Sequence, residues 1–77
     1  MTEAQQRWLD QQAIERLAQH IPFEVDPQTK AECIEMLRGL VLRSGHLMSH
    51  DDFGFEAQTE LKRLGLLHRI GASGGTA

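Results

Sequence analysis

Two prolines, the only ones in the chain, settle where helices can and cannot run. The residue before a proline is pushed out of α geometry by the ring, so a helix arriving at Pro22 must end near His20. Pro27 acts in the opposite sense. Preceded by Asp26, it stands at the first position of a helix, where its missing N–H is not needed, behind a carboxylate placed to cap the positive end of the helix dipole. The link Pro22-Phe23-Glu24-Val25 is expected to run extended, with Phe23 and Val25 packing down over the helix ends.

The helix upstream opens on Thr2 and Gln5, a spacing at which each side chain satisfies the other's backbone N–H. From about Glu3, the residues Leu9, Ala13, Ile14, Leu17, Ala18 and Ile21 recur at three- and four-residue steps opposite a polar face of Gln5, Gln6, Arg7, Gln11, Gln12 and Glu15, the pattern of an amphipathic helix. In the second helix, Ile34, Leu37, Val41 and Met48 centre a stripe flanked by Cys33, Leu40, Ser44 and Leu47. This apolar arc approaches half the circumference, more than one neighbour can cover, so the second helix is expected to lie between the other two and to end at Gly45 or at Ser49. Ser49, Asp51 and Asp52 are alternative caps for a third helix through Phe53, Ala57, Glu60, Leu61 and Leu64, with Gly65 as its stop. Two outcomes remain for Leu66, Leu67 and Ile70. Either the chain turns at Gly65 and folds them onto the core, or they join Phe55 in a second apolar patch that awaits another subunit.

The expected fold is therefore all-α, a small three-helix bundle over residues 1–70 with a flexible Gly/Ser/Ala tail over 71–77. Its 77 residues allow one domain near the lower size limit for a self-sustaining core, and 40% apolar residues are ample for one. The longest uninterrupted apolar run, Leu40-Val41-Leu42, is far short of a bilayer span, and the N-terminus has neither the basic nor the apolar region of a signal peptide, which leaves a cytoplasmic location as the expectation. Cys33 is the only cysteine, expected to be buried and reduced.

The net charge of −3 is unevenly spread: residues 1–37 carry seven acids against three bases, residues 38–77 five bases against four acids. The bases alternate with Asp51, Asp52, Glu56 and Glu60 and form no dense basic face, so nucleic acid is an unfavoured partner. A helix-turn-helix reading would present Gln58, Thr59, Lys62 and Arg63 to DNA, with Asp51 and Asp52 turned unfavourably towards phosphate.

The most specific chemical pattern is His46 and His50 with Asp51. On a continuous helix two histidines four apart share a face and can share a metal, with the carboxylate as third ligand, which makes a metal- or pH-responsive regulator one alternative. Cys33 stands well inside the second helix, away from the N-terminal dipole that would activate a thiolate. The carboxylate pairs Asp51-Asp52 and Glu32-Glu35 have no cleft to separate their pKa values, and no catalytic residue or cofactor is expected.

The stretch from Leu17 through Ile21-Pro22 and Val25-Asp26-Pro27 to Leu37 and Met48 resembles the small helical subunits that accompany amidase-type enzymes, in which a short apolar-proline link precedes a long helix. Such subunits tend to continue as an extended strap over the partner enzyme, and a helix over Phe53 to Leu64 departs from that pattern. The likeness implies an accessory role. The leading expectation is thus a non-catalytic interaction module or accessory subunit that binds another protein or forms a homodimer through Trp8, Leu40, Leu47, Phe55, Leu66 and Ile70.

Overall fold

Each of the first two helices starts where its capping chemistry stands. Thr2 Oγ1 accepts from the Gln5 N–H at 3.1 Å while the Gln5 side chain accepts from the Thr2 N–H at 2.9 Å, and α1 runs over Glu3–His20. Asp26 accepts from the Thr29 N–H at 2.8 Å, and α2 runs over Pro27–Ser44 behind Pro27. The computed structural model describes residues 2–71, adding α3 (Phe55–Arg63) and one-turn 3-10 segments at Ile21–Phe23, Gly45–Leu47, His50–Asp52 and Leu67–Arg69. The architecture is all-α, with no strand among the described residues. Apart from Gly71, the tail expected over 71–77 lies outside the described residues.

The central helix is α1, not α2. It packs against both other helices, whereas α2 and α3 share little direct contact. The cause lies in the connection after α2. It carries the chain back across α1, where Gln11 donates to the Asp52 carbonyl at 3.2 Å and Glu15 accepts from the Gly54 N–H at 3.2 Å, so α3 is set down on α1 rather than beside α2. Ile14, Ala18 and Ile21 are sealed between the two neighbours, Leu37 and Val41 reaching in from α2, Ala57 and Leu61 from α3. Complete burial of a Leu, Ile or Val side chain stabilises by about 1.5–3 kcal/mol, so this small set dominates folding.

The second helix ends at Ser44, the earlier of the two expected stops, because Gly45 turns into a 3-10 segment under close packing: a Cβ there would meet the Arg69 carbonyl oxygen at 3.2 Å and the Ile70 Cδ1 at 3.3 Å. Ser49, Asp51 and Asp52 do not start α3. The Asp52 carboxylate instead accepts from the Ser49 N–H at 2.9 Å across the short turn His50–Asp52, and α3 begins two residues later than Phe53, at Phe55. Gly65 is the stop foreseen for it, with φ of +75°, in the left-handed region open to glycine. The chain then doubles back. Leu66 and Ile70 enter the core, and the Gly71 N–H donates to the Gly45 carbonyl at 2.8 Å.

The link Ile21–Val25 departs from expectation. Pro22 extends the end of α1 into a 3-10 turn that buries Ile21 and throws Phe23 outward, and Val25 is 91% exposed, so neither residue plugs a helix end. Cys33 is half-buried rather than enclosed.

Replacing Gly65 by alanine forces a Cβ into the left-handed conformation, at a cost of about 1–2 kcal/mol. For a domain of this size each kcal/mol lowers Tm by about 4–8 °C, and thermal unfolding of Gly65→Ala followed by circular dichroism checks the drop.

Candidate interaction surface

The expected contact residues divide into three groups. Leu66 and Ile70 are core residues: the turn at Gly65 folds them inward, and they are corrected from surface to interior. Leu40 is half-buried, one flank against the core and one outward. Trp8, Leu47 and Phe55 are exposed.

The exposed residues occupy two separate places. Near the start of α1, Ala4 lies between two shallow grooves, one shared with Trp8 and Leu9 and the other with Arg7, Arg43 and Leu47. At the other end of α1, Phe55 faces Phe23 and Pro22 across a groove bordered by Gln19, Glu56 and Thr59. Phe53 and Phe55 flank Gly54 and take opposite fates, Phe53 entering the core and Phe55 standing 83% exposed. Phe23, 79% exposed, is its unforeseen companion. The outward projection of Phe23 follows from Pro22, whose 3-10 turn directs Ile21 inward.

Sequence reading also missed the buried polar joint between α1 and α2. Asp10, only 5% exposed, occupies the position one turn before Ile14 on the buried stripe, where Leu9 had been expected. Its carboxylate accepts from Ser44 Oγ at 2.5 Å, from Gln6 Nε2 at 3.0 Å and from the Arg43 guanidinium at 3.2 Å. The Ser44 hydrogen bond is the largest influence holding the Asp10 pKa below the usual aspartate value; burial opposes it, and Gln6 and Arg43 add to the lowering. Glu60 is likewise buried on α3 and is gripped by the Arg63 guanidinium through two N–H groups. The recurrence of Asp10, Ile14 and Ala18 at four-residue steps was the available signal for the joint.

The metal constellation is not assembled. His46 and His50 fall on different 3-10 turns separated by extended backbone at Met48 and Ser49, so the shared helical face that a common ion requires is lost. His50 Nε2 lies 3.1 Å from the Leu67 carbonyl, a contact in which the ring N–H donates, and Asp51 stays exposed on the surface. No group of three His, Cys, Asp or Glu side chains able to hold a metal occurs among the described residues. On α3, Gln58 donates to the His50 and Phe53 carbonyls, Thr59 Oγ1 donates to the Phe55 carbonyl and Arg63 holds Glu60, so three of the four positions a DNA reading would need are engaged within the chain.

What the geometry defines is a three-helix all-α domain with a buried carboxylate joint and exposed aromatic residues at two separate surface sites. No helix among the described residues is long and apolar enough to cross a membrane. Comparison of the chain with known protein families, with curated proteins and with solved structures finds no match.

Because the native Asp10 pKa is lowered, its carboxylate favours the folded state above the unfolded aspartate value of about 3.9, and that stability is lost as pH falls through the lower native value. Ser44→Ala removes the main donor from a buried acceptor, costing about 1–3 kcal/mol at neutral pH. The variant's stability should fall less than the parent's between pH 7 and pH 2.5 in urea titrations.

Proposed function

We propose that this chain is a non-catalytic, cytoplasmic helical interaction module, an accessory or regulatory subunit that binds another protein or a second copy of itself. One observation carries the reading. Three of its four aromatic side chains stand outside a core that is already filled: Trp8 is 57% exposed, Phe23 79% and Phe55 83%. Aromatic residues are enriched at protein interfaces and among the residues that dominate binding energy. Each removes about 150–250 Å² from water on full burial, or about 4–6 kcal/mol before the cost of association.

The carboxylates best shielded from water are committed to the fold. Asp10 on α1 accepts from Ser44 and Arg43 of α2 and so ties two helices together, and Glu60 is paired with Arg63 one turn along α3. The shallow grooves beside Trp8 and between Phe23 and Phe55 suit side chains of a partner surface.

The test is cross-linking of the native chain in the cells that make it, compared with a Trp8→Ser variant and a Phe23→Ser/Phe55→Ser variant, each checked by circular dichroism. All three residues lie outside the core, so folding should be retained. The proposal expects one defined chain, another protein or this one, cross-linked next to Trp8 or to Phe23 and Phe55, with at least a tenfold loss in one variant. Absence of any defined cross-linked chain overturns it; a different protein cross-linked with equal yields in all three overturns its assignment to the aromatic sites, and a homodimer with equal yields moves the contact to another face of the chain.

A further inference from the structure

We infer that α2 is the self-association element of this protein, pairing antiparallel with α2 of a second copy about Gly39; the inference rests on the interaction-module reading and names the partner. The outer face of α2 carries Met36, Leu40, Arg43 and, just past its end, Leu47, at steps of four, three and four. At about 100° per residue these fall within an arc of about 60°. Met36, Arg43 and Leu47 are exposed and Leu40 is half-exposed, so the stripe is presented to solvent beside the core stripe of Leu37 and Val41.

Gly39 lies at one edge of this face. A glycine inside a helix costs about 0.5–1 kcal/mol relative to alanine, which calls for a reason. Its own fold supplies none: the residue is helical, and a Cβ built there would meet nothing within 4 Å. A second helix crossing at Gly39 does supply one, since the missing side chain lets two backbones approach.

The charges choose the partner and its direction. Glu32 lies on the same edge, exposed and on the N-terminal side of Gly39, and Arg43 lies on the C-terminal side with its side chain 65% exposed. Arg43 gives one N–H to Asp10 and has further donors to offer. The midpoint of Glu32 and Arg43 and the midpoint of Met36 and Leu40 coincide to within half a residue, beside Gly39. A two-fold axis there sets Glu32 of each copy against Arg43 of the other and Met36 against Leu40, so one operation satisfies both ion pairs and both apolar contacts. A parallel arrangement sets like charges together. Arg38 and Glu35 beside it are already paired with each other at 3.1 Å. So narrow a face falls below the roughly 800 Å² per partner of a standard interface, which makes the dimer a weak, concentration-dependent one.

Sedimentation equilibrium of the full chain from about 1 μM to 1 mM, the range in which a weak dimer of this kind dissociates, should show a reversible monomer–dimer equilibrium. Gly39→Glu enters open space and improves helix propensity, so circular dichroism should be unchanged while the dimer Kd rises at least tenfold. Glu32→Arg should weaken the dimer similarly, as should raised salt, which screens the Glu32–Arg43 pairs. A wild-type chain that stays monomeric at 1 mM overturns the inference, and so does a dimer indifferent to Gly39→Glu. A dimer indifferent to both Glu32→Arg and salt overturns the antiparallel register. A chain that is monomeric yet cross-links to a different protein at its aromatic sites defeats this inference alone and leaves the interaction-module reading standing.

Discussion

Everything in this fold depends on a narrow stripe, Ile14 and Ala18 of α1 with Ile21 just past its end, being covered from two sides at once. Neither α2 nor the nine-residue α3 meets the other enough to make a core without it. An isolated helix as short as α3 is marginal in water, so its helicity derives from packing Ala57 and Leu61 onto α1. The Asp10–Ser44 hydrogen bond fixes where along α1 the end of α2 lies, and the Glu15 and Gln11 contacts fix where α3 begins. Directional polar bonds thus set the register that non-directional apolar burial leaves open.

A chain this small gains little enclosed volume relative to its surface. Folding Leu66 and Ile70 back between Gly45 and Met48 completes the interior, and it does so without help from Trp8, Phe23, Val25 or Phe55. Leaving those side chains in water gives the isolated molecule no stability, and the proposed contact with another surface would account for their placement. Met36 on α2 and Leu47 just past its end are likewise more than half exposed.

Much of the helical plan could be read directly. Thr2 with Gln5, Asp26 with Pro27, Pro22 and Gly65 are local devices whose geometry needs no tertiary information, and all four act where expected. Burial was less legible because it depends on where α3 docks. The broad stripe of α2 suggested a central helix, yet the connection Gly45–Gly54 delivers α3 to α1, and the stripe is covered all the same: only Leu47 stands exposed, while Cys33, Ile34 and Leu40 are half-buried. Ser49 and Asp52 have the chemistry of a helix cap, and Asp52 uses it on a single 3-10 turn, a competition between nearby starts that composition does not resolve. The same turn separates His46 from His50 and removes the shared face on which the metal reading relied. Of the candidate contact residues, Phe55 was legible from the helical wheel as facing away from the core, whereas Phe23 required knowing which way a 3-10 turn would project it.

Native-state hydrogen exchange resolved by residue tests the central role of α1 most directly. Amides around Ile14 and Ala18 should exchange only through global unfolding and be the slowest in the molecule, slower than those of α2 beyond Leu37 and Val41. Fast exchange along the middle of α1 while α2 and α3 remain protected would contradict the account.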